Sequence, residues 1–564
     1  MRVFEQILKA RGLTDETVEG FLHPDYTSGH DPFLLPDMKL AVERLVKARE
    51  RQERITIYGD YDIDGLTATT VLLDALAAFG FRFVETFIPN RFIEGYGMTE
   101  AAVEKIAENG ANLIITVDCG SLSEGPIRRA NELGVDVIVT DHHNVAPVQP
   151  PAVAVINPKR LLQDYPKRYH KLLLTKQTKA KPLYPFLDLP GVGVAFKLVQ
   201  ALQTRLDGLG AGQEKWLLDL VALGTVCDVV TLVDENRMHV YWGLKVLAQT
   251  RRQGLKALMA VAKVDPARVN ARSLGFALGP RMNAAGRLDT AKIALDMLRA
   301  NDGMEALALA RQLDDMNAKR RADQDAIYRQ AIEQAEQYSN DDVLVVSSAG
   351  WSHGIIGIVA AKLLEKYGKP TYVLEEMGQE SKGSARSYGG FSAADAIRAS
   401  DDLITKGGGH MLAAGVTLPT ANIAKFRERV NKFYNDCQLT LAIEREKLLP
   451  QADITLTFDV INEALIEDIS RLEPFGNGNP QPIIRSENLL VRHLRRMGSE
   501  GQHVKLELQD TNGKVLSMLA FSAPTHFFVE PGEYVTVWYQ PDINEWQGRR
   551  TVEGRLMHLE ITQA

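Results

Sequence analysis

Between residues 39 and 157, short apolar runs alternate with stretches of helical pattern. Residues 54–59 (RITIYG), 81–88, 112–117, 135–140 and 152–157 each read as a strand. Residues 66–80 and 100–110 read as helices between them, the second closed by a glycine. Such alternation builds βαβ units around a mostly parallel sheet. The pattern breaks at 159–190, where 167–182 is basic without one acidic residue; it reads as a solvated loop, with a DNA-facing loop as the alternative. Residues 191–340 are helical in pattern, and 309–338 is the longest stretch, suited to linking two lobes. A second α/β segment opens at 343–348 (VLVVSS) and runs to about 430. From 451 to 564, short β-like runs between Gly, Pro and Asn turns predict a small sandwich or barrel. The predicted domains are therefore an N-terminal arm (1–38), an α/β domain (39–230), a helical connector (231–340), a smaller α/β domain (341–450) and a β domain (451–564).

Composition narrows the function classes. The 564 residues carry 65 Lys+Arg against 72 Asp+Glu, a net charge of −7, so any nucleic-acid site is a local patch and not the whole surface. The acidic excess is what carboxylates gathered around metal would give. Cys119, Cys227 and Cys437 are too few for a disulfide framework or a cysteine metal cluster, which favours a reducing compartment. No apolar run approaches the ~20 residues of a membrane span, and the charged N-terminus has no signal-peptide core. A cytoplasmic protein with no membrane association is expected.

The candidate chemistry lies where the strands end. Ligands of open α/β sheets bind beyond the carboxyl ends of the strands. Here one strand runs into Asp60-Tyr61-Asp62-Ile63-Asp64, a second into Asp118, and a third into Asp141-His142-His143. Unpaired carboxylates so gathered repel one another and call for positive charge. In an extended segment, Asp60, Asp62 and Asp64 would share one side. Oxygen ligands with imidazole suit Mn²⁺, with Mg²⁺ the weaker match, and paired divalent ions are a recurrent device for phosphoester hydrolysis. A dinucleotide site lacks support, because no G-x-G-x-x-G follows the first strand; Gly191-Val192-Gly193 follows Leu-Pro and reads as a turn opening a helix. Gly407-Gly408-Gly409-His410 would let backbone N–H groups converge on phosphate, and Gly383-Ser384-Ala385-Arg386-Ser387 adds phosphate-binding side chains.

Together, Tyr58-Gly59-Asp60-Tyr61-Asp62-Ile63-Asp64-Gly65, Val117-Asp118-Cys119-Gly120, Asp141-His142-His143 and Gly224-Thr225-Val226-Cys227-Asp228 resemble the DHH phosphoesterase superfamily, and within it the RecJ family of single-strand-specific 5′→3′ exonucleases. The likeness continues through Arg281-Met282-Asn283-Ala284-Ala285-Gly286-Arg287, the 383–387 segment and the 407–415 segment. It implies a parallel-sheet DHH domain joined by a long helix to a smaller α/β DHHA1 domain, followed by an OB-like barrel. It implies two metal ions, Mn²⁺ or Mg²⁺. Asp60, Asp62 and Asp118 would hold one; Asp64, Asp118, His142 and Asp228 would hold the other. His143 would orient ligands or contact the scissile phosphate, and Asp141 would fix an imidazole tautomer. Arg91, Arg281, Asn283, Ser384, Arg386 and His410 would bind substrate. Trp538, Tyr539, Trp546, Arg492, Arg495 and Arg496 are candidates for stacking and phosphate contact in the barrel, although 451–564 holds only 10 Lys+Arg against 16 Asp+Glu. Relatives place His directly after the tryptophan where this chain has Trp351-Ser352-His353, so His353 receives no role.

The implied activity is release of 5′-mononucleotides from single-stranded DNA in recombinational and mismatch repair. The implied partners are single-strand-binding protein and a RecQ-type helicase, with the enzyme itself a monomer. A small-substrate phosphoesterase is disfavoured by the chain's length and β domain. A non-catalytic scaffold is disfavoured by the intact Asp/His set.

Overall fold

The computed structural model describes residues 2–91, 97–175, 182–437, 450–498, 501–546 and 548–562. Residues 92–96 of the segment that follows Arg91, residues 176–181 of the basic stretch and the side chain of Trp546 lie outside the described residues. The chain forms two compact units: 23–319 with 474–480, and 1–22 with 320–473 and 481–564.

The first unit is built on five parallel strands: β1 (Ile55–Gly59), β2 (Val84–Phe87), β3 (Leu113–Val117), β4 (Asp136–Thr140) and β5 (Ala154–Ile156), in the order β2-β1-β3-β4-β5. β1 and β3 are buried along their whole length, because helices cover both faces. Ile55, Ile57, Leu113, Ile115 and Val117 join one core with the helices Met38–Arg51, Ile63–Ala78 and Gly191–Gln203. Tyr58 and Ile114 point the other way, into a core with Val103, Ile106 and Ile127 of Glu100–Glu108 and Glu124–Glu132. Alternate residues thus serve alternate cores, as the pleat requires. Leu218–Cys227 is apolar on every side apart from Asp219, which is buried against Arg252, and is correspondingly enclosed. The basic stretch 167–182, expected as a solvated loop, is instead helical as far as Thr175 in the helix Pro166–Thr175, where Tyr169 supplies a buried anchor that a charge-run reading overlooks; the short helix Arg160–Asp164 precedes it.

The helix Gly303–Gln337 runs 35 residues, about 50 Å at 1.5 Å per residue, and the division between the units falls within it. In the second unit, β6 (Leu344–Ala349), β7 (Thr371–Met377), β8 (Glu380–Arg386), β9 (Lys406–Gly409) and β10 (Ala413–Pro419) form a mixed sheet of order β6-β7-β8-β10-β9. Only β6 and β7 run parallel. Tyr372, Leu374 and Ala385 face Ala396, Phe426 and Val430 of the helices Ala393–Arg398 and Ile423–Asp436. The same unit contains β11 (Ile454–Thr455), β12 (Ile484–Met497), β13 (His503–Gln509), β14 (Val515–Ala520), β15 (Tyr534–Trp546) and β16 (Arg549–Thr562). β12 to β16 close into a five-stranded barrel in which β12 pairs with both β13 and β15, and two register shifts let it serve both. Among the described residues, no helix is long and apolar enough to cross a membrane.

Candidate active site

The strand order reverses between β1 and β3, the place where open parallel sheets bind ligands. Asp60 follows β1, Asp118 follows β3, and Asp141, His142 and His143 follow β4. The helix after β1 begins at Ile63, three residues before the predicted start, because Asp62 is its N-cap and accepts the Gly65 N–H at 3.1 Å. Asp60, Asp62 and Asp64 are therefore not on one extended segment, as the alternation suggested: Asp62 caps the helix and Asp64 lies in its first turn. A β-carbon on Gly65 would come within 2.5 Å of the Asp60 carbonyl oxygen, so glycine is what lets the strand turn directly into the helix.

Asp64 is buried, and both its oxygens are occupied. They accept the N–H groups of Gly191 at 2.6 Å and Val192 at 2.8 Å, the first turn of a helix with no side-chain cap of its own. A β-carbon on Gly191 would lie 2.6 Å from the Asp118 Cβ. The segment Gly191-Val192-Gly193 thus opens a helix, as expected, and also clamps the Asp64 carboxylate while leaving room for Asp118, a role the sequence reading missed. The available signal was a glycine-rich helix start with no Ser, Thr, Asp or Asn before it. Asp118 adopts φ +62°, a left-handed conformation that Asp tolerates better than most residues, and its N–H donates to Thr140 O at 3.0 Å.

Asp141 organises the histidines. Its Oδ1 accepts from the His142 N–H at 2.7 Å and the His143 N–H at 3.1 Å and lies 2.8 Å from His143 Nδ1, while its Oδ2 accepts from Ser121 N–H. With its Nδ1–H donated to Asp141, His143 keeps Nε2 for other partners.

Three overlapping groups of potential ligand atoms result, one of them Asp118 with His142 and His143. One atom each from Asp60, Asp62 and Asp118 lie within 4.8 Å of one another, and so do one each from Asp64, His142 and Asp228. Asp118 reaches the second group as well, with Oδ1 3.1 Å from His142 Nε2, which in turn lies 3.6 Å from Asp228 Oδ2 and 3.8 Å from Asp64 Oδ2. Burial, then the charge of Asp62, pushes the Asp64 carboxyl up to about 7; burial, then Asp64 and Asp62, pushes Asp228 to about 9. Asp60 and Asp118 are held well above the ordinary carboxylate range, by burial first and their acidic neighbours second. Burial and then His143 push His142 down to about 3, so its ring is neutral. Asp141 is the exception: burial, the largest single influence, would raise it, but the hydrogen bond and charge of His143, with His142 and the Ser121 N–H, together lower it, and His143 is raised in return against its own burial.

The residues present fit divalent cations. Asp60 Oδ1, Asp118 Oδ1, Asp228 Oδ2 and His142 Nε2 are buried without a hydrogen-bond partner. The 3.1 Å approach of His142 to Asp118 lacks hydrogen-bond orientation, and a neutral imidazole makes no ion pair. Carboxylate oxygens and one imidazole, close together and short of donors, are the ligand set of Mn²⁺ or Mg²⁺. Burial pushes the Cys119 and Cys227 thiols up, away from the thiolate a metal would need.

The expected substrate residues fall into three places. Arg91 lies over the Tyr61 ring, 4.5 Å from its centroid, beside Asp60. Asn283 is on Gly279–Leu288, three residues before Gly286, whose β-carbon would lie 3.1 Å from Tyr61 O; that helix face therefore borders the same spot. Arg281 is committed elsewhere, to Asp314 at 2.9 Å and Ala277 O at 2.7 Å. In the second unit, Arg386 donates to Ser384 Oγ at 3.1 Å and has no carboxylate partner among the described residues. Gly357 makes room for both side chains: its β-carbon would lie 2.9 Å from Ser384 Oγ and 3.1 Å from Arg386 Nη2. His410 is exposed at the same end of the sheet, donating its N–H to Ala413 O opposite Arg386. Gly407, Gly408 and Gly409 do not form the converging backbone expected for phosphate: they are edge strand β9, paired with β10. Their reason is packing, since a β-carbon on Gly407 would strike Ile397 at 2.3 Å and one on Gly409 would strike Ala413 O at 2.6 Å. His353 Nδ1 lies 2.9 Å from Glu375. In the barrel, Arg485 lies over Trp538 and Arg496 over Phe528, whereas Tyr539 is buried in the core with its hydroxyl near Ser486.

Residues 54–225 match the DHH family, N-terminal domain; 340–436 match the DHHA1 domain; 452–558 match the RecJ OB domain. The chain is 36% identical over 551 residues to the single-stranded-DNA-specific exonuclease RecJ of Bacillus subtilis (strain 168), covering 96% of this chain and 66% of that protein. It is 35% identical to the protein of the same description in Dickeya dadantii (strain 3937), covering 93% of this chain and 91% of that one. The crystal structure of RecJ from Thermus thermophilus in complex with Mn²⁺ superposes with a TM-score of 0.77 at 29% identity, covering 100% of this chain and 78% of that one. The Mg²⁺ complex of that protein superposes with a TM-score of 0.72 at 28% identity, covering 100% and 77%.

Proposed function

The chain belongs to the RecJ family of single-stranded-DNA-specific exonucleases, and from that premise we propose that it degrades single-stranded DNA from the 5′ end, releasing 5′-mononucleotides. It is a metal-dependent hydrolase whose cofactors are Mn²⁺ or Mg²⁺, as in the two Thermus complexes. The observation that carries this reading is the set of buried, donor-less Asp and His ligand atoms at the strand-order reversal. Asp60, Asp62 and Asp118 would hold one ion, and Asp64, His142 and Asp228 a second, with Asp118 close enough to serve both. The chemistry supplied by the bound ions is activation of water and neutralisation of charge on the phosphoryl group. Asp64, fixed by two backbone N–H groups, cannot swing away from its ligand position. In its protonated form His143, backed by Asp141, offers its Nε2–H to a non-bridging oxygen of the scissile phosphate. Arg386 and Ser384 bind a strand phosphate, and Arg91 with Asn283 lines the path beside Tyr61. The barrel holds the strand further along. Family resemblance supports a role in recombinational and mismatch repair beside single-strand-binding protein and a RecQ-type helicase.

The test is a time course on 5′- and 3′-labelled single-stranded and duplex DNA with Mn²⁺, Mg²⁺ or EDTA, with Asp118→Ala alongside. Mononucleotides released from the 5′ end of the single strand, and abolished by EDTA and by the variant, are expected. Release from the 3′ end, or equal attack on duplex, contradicts the proposal.

A further inference from the structure

A cavity of about 580 Å³ opens in the first unit at the far end of helix Ile63–Ala78 from Asp64. Asp74 of that helix lines it, about 15 Å along the axis from Asp64 at 1.5 Å per residue, so it is separate from the metal cluster. Arg82, Arg251, Arg252 and Arg299 all border it. Arg252 is already satisfied, 2.6 Å from Asp74 and 3.3 Å from Asp219. Asp219 is further answered by the Thr250 hydroxyl and the Leu220 N–H. Asp219 is therefore spent on a buried ion pair, and Asp74, at the cavity edge with its side chain 41% exposed, is paired with Arg252.

Arg82, Arg251 and Arg299 are exposed and have no carboxylate within 4.0 Å among the described residues. With Arg252, three further arginines border one cavity whose two acids, Asp74 and Asp219, are already paired, an excess of positive charge that suits an anion, and the planar fork of Arg suits phosphate above other anions. The remaining walls add a second requirement. Arg251 lies over the Trp216 ring at 3.7 Å from its centroid, and Phe81, Val84 and Leu298 complete an apolar side. The helix Gln253–Val261 begins at this wall without a side-chain cap, leaving first-turn N–H groups available. The volume falls in the ~300–1,000 Å³ range of small-molecule sites.

We propose that this cavity binds a nucleoside 5′-phosphate, the phosphate on Arg82 and Arg299 and the base stacked on the Arg251 guanidinium that itself lies over Trp216. The site is defined by its own walls and does not depend on the nuclease reading. Binding of dAMP, deoxyadenosine and inorganic phosphate is measured by calorimetry and tryptophan fluorescence on the full chain in EDTA. Saturable binding of dAMP is expected, with a fluorescence change lost in Trp216→Phe. Arg251→Glu/Arg299→Glu weakens it at least tenfold, while Arg386→Ala and Asp118→Ala leave it unchanged. Deoxyadenosine without phosphate does not bind, and inorganic phosphate binds at least tenfold more weakly than dAMP. A thermal melt checks that the double variant is folded, and Arg82→Gln gives the same discrimination if it is not. Absence of dAMP binding, binding indifferent to the arginine variants, or phosphate binding as tightly as dAMP overturns the proposal.

Discussion

At the scale of single residues, the site depends on two that are not ligands in any group. Asp141 spends one oxygen on the His142 and His143 backbones and the His143 ring, and the other on Ser121. Asp141→Asn keeps the shape and removes the charge that holds the His143 proton. Activity should fall ~10–100-fold, the usual cost of losing a partner behind a site residue. Single-turnover rates check this, with the melting temperature showing that the fold persists. Gly191 is the second. Gly191→Ala places a methyl group 2.6 Å from the Asp118 Cβ, and relief by movement costs ~1–3 kcal/mol of stability. Because what moves is Asp118, Mn²⁺ affinity should fall out of proportion to that cost. Calorimetric Mn²⁺ titration beside a denaturant melt separates the two. The carboxylates themselves were legible in the sequence, since strand-end positions are local. The Gly191 clamp was not, because it joins Asp64 to a residue 127 positions away, and no local pattern records that distance.

At the scale of elements, a buried polar cluster ties the first unit together. Glu235, on the helix Asp234–Leu247, pairs with Lys197 and the Tyr184 hydroxyl and accepts the His30 N–H at 2.8 Å, while Lys197 donates to His30 O at 2.6 Å. The arm residue His30 is thereby fastened to two helices. His239, one turn after Glu235, is fully buried, and neither ring nitrogen has a hydrogen-bond partner; burial pushes it down to about 4. The unfolded chain takes up a proton at this site near pH 6.5, while the folded chain does not until about pH 4. Its contribution is intact above pH 6.5 and is lost as pH falls between those values, about 3 kcal/mol in all. In His239→Leu that slope disappears, so urea melts of variant and wild type from pH 7 to 4.5 should diverge progressively in the variant's favour. Equal slopes would refute the assignment. Elements were legible where periodicity decides them, as at β1, β3 and β4. They were misread where one side chain decides. The N-cap of Asp62 moves a helix start by three residues, the buried Tyr169 anchors part of a basic stretch as helix, and pairing with β10 makes the three glycines a strand, with neighbours pressed against Gly407 and Gly409.

At the scale of the whole molecule, the function needs several parts on one chain: a metal cluster at the reversal of a parallel sheet, an arginine and serine on a second sheet, and a closed barrel. The alternation of patterns announced this order along the chain, and the dispersed motifs identified the family. The central claim is that the clustered carboxylates and His142 hold two ions with Asp118 between them. Counting Mn²⁺ bound per chain, by electron paramagnetic resonance on wild type, Asp228→Ala and Asp118→Ala, tests it most directly. The account predicts two ions with spin coupling in the wild type, one uncoupled ion at most in Asp228→Ala, and severe loss of both in Asp118→Ala. A single ion in the wild type, or two retained in Asp118→Ala, would contradict it.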